Sequence, residues 1–187
     1  MKIILIKIGI FILNIIYFFI KLFPINKNKV TFISRQSNEV SLDFTMIAKE
    51  LKQQNENIKI VFLCKKLGTS FSEKVKYCFH MVKQMYNIAT SKVVILDSDC
   101  IPVCVLKQKK KLVVIQIWHA LGSLKKFGYS SLDKKDGRNS KLAKAMKMHR
   151  NYTYILTSSN LSKKFFKEAF NARDEQMLVM NLIYCLL

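Results

Sequence analysis

The stretch from residue 112 to residue 129, LVVIQIWHALGSLKKFGY, joins an apolar run to residues that can do chemistry. Branched apolar residues favour a buried strand, and His119 follows where that strand ends. An imidazole at this position can take or give a proton near neutral pH. Lys125 and Lys126 can hold a phosphate, and Gly122 lets the backbone turn close to a ligand. The pattern fits equally well a core strand that is followed by a basic surface turn.

Other polar residues follow predicted strands, and the carboxyl ends of parallel strands share one edge, where ligands gather. Ser34, Arg35 and Gln36 follow the first strand and could donate hydrogen bonds to a phosphate or a polyol, although a turn with a helix cap is the preferred interpretation. Asp97 ends the third strand and could orient His119, bind a hydroxyl group or cap the next segment. Ser158 follows the fifth strand and could face the same crevice.

Three other aromatic residues are predicted to have structural or surface positions without a role in binding. His80 is predicted on the solvated face of a helix, together with basic residues, and His149 follows a Lys-rich helix as a surface residue. Trp118 is predicted to pack in the core rather than to touch a substrate.

The order of apolar segments predicts an α/β fold with a Rossmann-like, doubly wound parallel sheet, because strand patterns alternate with helical patterns. Ser41 is predicted to cap the first helix after the first strand, and a second helix is predicted to turn Val75, Cys78, Phe79, Val82 and Tyr86 inward. No Gly-rich GxGxxG loop follows the first strand, so a dinucleotide site is not supported. The predicted strands cover residues 30–34, 58–64, 93–97, 112–118 and 152–157, with a sixth from 177, and the predicted helices begin near 41, 72, 139 and 159.

The chain carries 32 basic and 12 acidic residues, a net charge of +20 over 187 residues. Such a field favours anionic partners, including acidic lipid headgroups, a polyphosphate chain or nucleic acid. The alternative is that the excess of lysine has no binding function and reflects the composition of an A+T-rich genome, with the lysines on a solvated surface. Nucleic acid is ranked last and is not expected as a partner, because the aromatic residues fall on faces that are predicted to point inward.

The cysteines do not predict a metal site. The five are odd in number and form no CxxC pair, and Cys100 and Cys104 lack a second ligand pair for zinc. Cys64 and Cys78 fall in apolar patterns and are predicted to be buried, reduced thiols, which favours a reducing compartment.

Residues 3–23 are apolar except for Lys7, Asn14 and Lys21. Because crossing a membrane takes about 20 residues, residues 1–25 are predicted to be a membrane-anchoring helix that lies on or spans the membrane. Residues 29–187 would then form the domain, on the cytoplasmic face. A buried hydrophobic helix and a secretory signal peptide are the alternatives, but no small-x-small cleavage site follows.

The segment WHALGSLKKFGY resembles the signature of the CDP-glycerol glycerophosphotransferase family, the teichoic acid polymerases and primases of Gram-positive bacteria. FISRQS with SLDF, ILDSDCIPV, TSSN and FFKEAF resemble further segments of that family in the same order. The resemblance runs from about residue 30 to residue 170.

The resemblance implies a GT-B architecture, with two Rossmann-like domains and the active site between them. It implies transfer of glycerol phosphate from CDP-glycerol to the hydroxyl of a membrane-bound, lipid-linked glycerol phosphate acceptor, with release of CMP. His119 would be the general base, and Lys125 and Lys126 would lie where acceptor phosphates approach. No cofactor is implied besides the donor substrate.

The resemblance also implies a further, donor-binding domain. Residues 179–187, VMNLIYCLL, lack the Gly-x-Pro-Arg turn that is expected there. We therefore expect a truncated product with an incomplete donor site and little activity alone. Two alternatives stay open: a non-catalytic module that binds membrane or polyanions, and one half of a split transferase with a separate C-terminal domain. The sequence leaves the choice between glycerol and ribitol open as well.

Overall fold

The computed structural model describes residues 2–119, 125–135 and 137–180 and contains one six-stranded, fully parallel sheet. The strand order is β2-β1-β3-β4-β5-β6, which confirms the predicted doubly wound α/β fold. The strands are β1 (Asn26–Ser34), β2 (Lys59–Cys64), β3 (Ser91–Leu96), β4 (Val113–Gln116), β5 (Tyr154–Thr157) and β6 (Met177–Val179), and the helices are α1 (Lys2–Ile20), α2 (Leu42–Gln54), α3 (Phe71–Thr90), α4 (Ile101–Val105), α5 (Ser140–Ala145) and α6 (Asn160–Phe170).

The chain changes direction across the sheet at β1. It leaves β1 through α2 to reach β2 on one side, then returns through α3 to pair β3 with the other side of β1. A crevice opens at such a switch point beyond the carboxyl ends of the strands. The topology therefore brings the residues that follow β1, β3 and β4 to one edge.

The two faces of the sheet are covered differently. Phe32 and Ile95 pack against α2, where Phe44 is fully buried and its ring centroid lies 5.0 Å from that of Phe32. Ile33 points to the opposite face, because successive strand residues alternate. That second face carries the larger cluster, with residues of α1, α3, α4 and α6.

Helix α1 docks on the domain along one stripe. Ile10, Leu13 and Ile20 pack against the larger cluster, and Tyr17 is buried with its hydroxyl donating to Gln108 at 2.6 Å. Residues 3–20 form the one helix in the described part that is long and apolar enough to cross a membrane, and only a small share of it is buried. A buried core helix therefore does not describe α1.

The predicted inward face of α3 is wrong. Val75, Phe79, Val82 and Tyr86 are exposed, and Cys78 is exposed as well. A second face, with the apolar residues Tyr77, Met85 and Ile88 and the buried amide of Gln84, packs towards the sheet instead. Two faces of this helix carry apolar residues at helical spacing, and packing against the sheet decides which of them is buried.

His80 also differs from its predicted solvated state. It is half-buried, and burial, together with Lys65 and Lys83, lowers the pKa of its imidazole. Its Nε2 has no hydrogen-bond partner among the described residues.

Cys64, predicted to be buried, is only half-buried, and Cys185 lies outside the described residues, whereas two cysteines lie in the core beside α4. Cys100 and Cys104 are buried free thiols, and burial raises their pKa to about 12 and about 11. The described residues contain no cluster of His, Cys, Asp or Glu that could hold a metal ion.

The predicted cap of α2 is confirmed and gives a stability test. The Ser41 hydroxyl accepts from the backbone N–H of Phe44 at 3.3 Å. We expect Ser41→Ala to lower the free energy of unfolding by about 1 kcal/mol, because a helix N–H loses its acceptor, whereas Ser41→Gly should cost only a few tenths of a kcal/mol relative to serine. Urea titrations of the two variants measure both values, and equal losses would contradict the assigned cap.

Candidate functional site

The backbone turns sharply between β4 and His119. Gln116, the last residue of β4, is fully buried, and its side chain accepts from the backbone N–H of Trp118 at 3.0 Å and donates to Ser98 O at 3.1 Å. Trp118 has a φ of 60°, in the left-handed region that a bulky residue rarely adopts. Such strain persists only where the surroundings over-determine it, typically at functional sites.

An aromatic cluster holds Trp118 in that conformation, and its half-buried indole packs against the core that the sequence predicted for it. Its ring stacks on Phe127 at 4.5 Å and meets Phe170 edge-on at 5.2 Å. The cluster fixes the indole from two sides. The next residue, His119, therefore leaves the strand in a defined direction.

His119 lies across the crevice and contacts the end of β3. Its Nδ1 is 3.0 Å from the backbone oxygen of Asp97. A carbonyl oxygen only accepts, so Nδ1 carries the hydrogen and a neutral ring keeps the lone pair on Nε2. With Nδ1 protonated, the Gln36 amide nitrogen 3.3 Å from the same atom is a neighbouring donor and not a hydrogen-bond partner, and His119 is exposed. This is the tautomer that a general base needs.

The carboxyl group of Asp97 is buried close to His119. Asp97 is buried, and burial raises the pKa of its carboxyl group against the opposing effects of the Ser34 and Ser98 hydroxyls and of the His119 charge. No described residue forms a hydrogen bond with Asp97 Oδ1. The structure therefore brings Asp97 to His119 through its backbone oxygen, and an orienting role for its carboxyl group stays a prediction.

Ser34 and Arg35 lie at the same edge, where their side chains form hydrogen bonds within the protein. The Ser34 hydroxyl accepts from the backbone N–H of Gln36 at 3.1 Å. Arg35 Nη1 donates to Asp99 Oδ1 at 3.1 Å and to the Asp99 backbone oxygen at 3.2 Å. Arg35 thereby ties the loop after β1 to the loop after β3.

Asp99 and Arg138 complete this network, and sequence reasoning missed both. Arg138 Nη1 lies 2.9 Å from Asp99 Oδ2, so the carboxylate bridges two guanidinium groups. Despite burial, which acts in the opposite direction, Arg35 and Arg138 hold the pKa of Asp99 below its usual range. A second carboxylate two residues after Asp97 was the available signal for Asp99, whereas nothing near Arg138 in the sequence marks it.

The other predicted site residues are less closely engaged. Lys125 and Lys126 are exposed on the loop after His119, and Gly122 lies outside the described residues. Ser158 follows β5 at the same sheet edge, with its hydroxyl 3.5 Å from that of Ser162. Ser159 caps α6 by accepting from the Ser162 backbone N–H at 3.1 Å, as predicted.

His149 corrects the predicted surface position. The helix predicted over residues 139–149 ends at Ala145 in the structure, and His149 has a φ of 58°, which turns its side chain into the core. Its ring contacts Phe170 edge-on at 4.7 Å, and its Nδ1 lies 3.2 Å from the Tyr152 hydroxyl. Burial lowers the pKa of His149 to about 4.

Gly128 closes the loop against this cluster. It has a φ of 56°, and a Cβ on it would lie 2.2 Å from the Ala169 backbone oxygen and 3.2 Å from His149 Nε2. Both the conformation and the space require glycine here. The second half of the motif loop is thus fixed to α6.

An open pocket of about 460 Å³ adjoins His149. Lys144, Lys147 and Arg150 line it beside Tyr129. Three cationic side chains around one concave surface favour an anionic ligand.

The arrangement around His119 can be compared with known proteins. A family model described as CDP-Glycerol:Poly(glycerophosphate) glycerophosphotransferase matches residues 15–180. The chain belongs to this family. The match extends from within α1 to the end of β6 and confirms the resemblance that was carried by the residues around His119.

The chain is also similar to teichoic acid primases and polymerases. The teichoic acid ribitol-phosphate primase of Bacillus spizizenii is 32% identical over 161 residues, 86% of this chain and 41% of that protein. The teichoic acid glycerol-phosphate primase of Bacillus subtilis is 33% identical over 99 residues, 53% of this chain and 26% of that protein. The chain spans less than half the length of these relatives.

Solved structures show the same fold. The wall teichoic acid polymerase TagF superposes with a TM-score of 0.64 over 95% of this chain and 45% of the TagF chain, at 12% identity. TagF has a GT-B-like architecture, so the predicted likeness to one domain of a GT-B glycosyltransferase is confirmed.

Proposed function

We propose that this member of a teichoic acid biosynthesis family forms the acceptor side of a transferase that moves glycerol phosphate from CDP-glycerol to the hydroxyl of a membrane-bound acceptor. The position of His119 carries the proposal: Nδ1 donates to the Asp97 backbone and Nε2 is left as a base at an exposed sheet edge. Ribitol phosphate is the second candidate group, favoured by the identity to a ribitol-phosphate primase.

The reaction follows from the tautomer of His119. Nε2 accepts the proton of the acceptor hydroxyl while that oxygen attacks the phosphorus that bears the glycerol. The bond between this phosphorus and the CMP oxygen breaks, and CMP leaves with the electron pair. Asp97 stabilises the imidazolium that forms, and Lys125 and Lys126 stabilise phosphate charge at the loop, since electrostatic stabilisation dominates phosphoryl transfer.

The acceptor is proposed to be lipid-linked, with the domain held at the cytoplasmic face of the cell membrane by α1. The exposed apolar residues of α1 and the net charge of +20 support an anionic membrane surface as a partner. The donor, CDP-glycerol, is proposed to bind between this domain and a second, C-terminal domain, on the same or on a separate polypeptide. The proposal needs no cofactor or metal.

A chimera tests the acceptor-side assignment. Residues 15–180 would replace the matching segment of the Bacillus spizizenii ribitol-phosphate primase, with a parallel exchange in the Bacillus subtilis glycerol-phosphate primase. We expect at least one chimera to extend a lipid-linked acceptor and to release the nucleotide. Folded, membrane-bound chimeras that are both inactive would contradict the proposal, and the chimera that works identifies the compatible polyol.

Asp97→Asn tests whether the Asp97 carboxylate stabilises the imidazolium of His119. Removing the negative charge destabilises the imidazolium, so we expect the turnover number of an active chimera to fall about tenfold, corresponding to about 1.4 kcal/mol. The Michaelis constant for the acceptor should stay within about twofold, because the carboxylate charge acts on the transition state. A loss of transfer that is matched by a loss of folding stability in urea would indicate a purely structural role for Asp97.

A further inference from the structure

Helix α3 presents an apolar stripe that the domain itself leaves uncovered. Phe71, Val75, Phe79, Val82 and Tyr86 recur at intervals of three or four residues, and all five are exposed. Phe71 is 82% exposed and Phe79 is 75% exposed. Contiguous exposed apolar residues of this size mark interaction surfaces.

The stripe is continuous with the outer side of α1. The Phe23 ring, just after α1, meets the Tyr86 ring edge-on at 5.5 Å, and the two helices contact each other. The outward side chains of α1 include Leu5, Phe11, Ile15, Phe18 and Phe19, all exposed. Together these side chains form what we call the α1–α3 face.

The position of α1 is fixed by the domain. The Tyr17 hydroxyl donates to Gln108, and Lys21 donates to the Lys107 backbone oxygen at 3.0 Å. The side chain of Lys109 reaches back to the backbone oxygen of Phe23. A helix that is tied to the domain along one stripe lies on the surface of the domain, with its remaining apolar side outward.

The charge around the α1–α3 face has one dominant sign. Lys74, Lys76 and Lys83 project from α3 and Lys7 from α1, all exposed. Within α1 and α3 the one carboxylate is Glu73, which is occupied by the Ser70 cap. An apolar surface rimmed by lysines complements a bilayer that contains anionic lipids.

We propose that the α1–α3 face lies flat on an anionic phospholipid bilayer, with the α3 stripe as a second membrane contact beside α1. The proposal rests on the proposed membrane-bound function and names the surface that performs it. Because α3 follows β2, it begins at the carboxyl edge of the sheet and ends at the amino edge of β3. The Phe71 end of α3 thus lies at the same edge of the sheet as His119, and contact along α3 keeps this edge next to the membrane surface, where a lipid-linked acceptor is presented.

Vesicle flotation of the full chain tests the α3 stripe. The test variant is Phe71→Glu/Phe79→Glu, and the matched control is Leu42→Glu/Met46→Glu on α2, which covers the opposite face of the sheet. Both variants replace two exposed apolar residues and change the net charge equally. On vesicles of phosphatidylcholine and phosphatidylglycerol we expect the α3 variant to bind at least about tenfold more weakly, and the control to stay within about twofold of the wild type.

Each result separates this inference from the wider proposal. Wild-type binding with unchanged binding of the α3 variant overturns the α3 contact and leaves membrane association through α1 standing. Equal losses of vesicle binding in both variants also overturn the α3 contact, since the added negative charge would then explain the loss wherever it is placed. Unchanged vesicle binding with altered self-association in light scattering would assign the stripe to a second copy of the chain. No vesicle binding by the wild type overturns both proposals, and circular dichroism confirms that each variant is folded.

Discussion

We expect His119→Ala in an active chimera to lower the rate of polyol phosphate transfer by about 10²- to 10⁴-fold, with little change in substrate binding. An alcohol is a poor nucleophile, and in the proposed mechanism the lone pair on Nε2 takes its proton during attack. The contact between Nδ1 and the Asp97 backbone at 3.0 Å keeps that lone pair directed away from β3. Steady-state release of CMP, with the acceptor varied at saturating donor, measures the loss in the turnover number.

His80→Ala is the matched control for this experiment. It makes the same chemical change on α3, and the Nε2 that it removes has no hydrogen-bond partner among the described residues. We expect transfer within about threefold of the parent chimera, because general base catalysis does not involve this imidazole. Comparable rates in the His119→Ala and parent chimeras would refute the assignment of His119 as the base.

His149 makes the stability of the domain depend on pH. Its pKa is lowered by burial from 6.5 to about 4 in the folded state, so the unfolded chain binds the proton more readily. Stability is therefore fully present above pH 6.5 and is lost as the pH falls towards 4. The loss should approach about 3 kcal/mol at the lower end of this window.

Urea unfolding followed by circular dichroism at several pH values between 4 and 7 measures this dependence. In His149→Phe, an aromatic ring fills the space beside Phe170 without titrating, so the slope should flatten across the window. The Asp99 carboxylate does not contribute to this slope. Because its pKa is lowered, the stability that it provides is lost only at more acidic pH. An unchanged slope in His149→Phe would contradict the buried, neutral state of His149.

Much of the catalytic edge follows from local pattern. The apolar run before His119 predicts a buried strand, and parallel topology then places the residues after β1, β3 and β4 together. The contact between His119 and Asp97 is a consequence of that register. Gln116, a lone amide inside an apolar run, was the available signal for the buried side chain that holds the turn at Trp118.

The Arg35–Asp99–Arg138 network illustrates what local pattern does not reveal. Arg35 looked available for a phosphate, yet its guanidinium is engaged by a carboxylate across the crevice. Arg138 reaches the same carboxylate from a loop 39 positions away in sequence. Ion pairs between distant loops depend on side-chain geometry, which periodicity does not encode.

The sequence by itself determined the α/β class, the strand order along the chain, the caps of α2 and α6 and the family, because these depend on residue type and short-range spacing. Tertiary structure alone decided which face of α3 is buried and that His149 enters the core. Both sets of α3 residues satisfy helical periodicity, and only packing against the sheet distinguishes them. At His149 a left-handed backbone turn within a Lys-rich segment reverses the direction of the side chain, and an aromatic cluster assembled from distant segments stabilises it there.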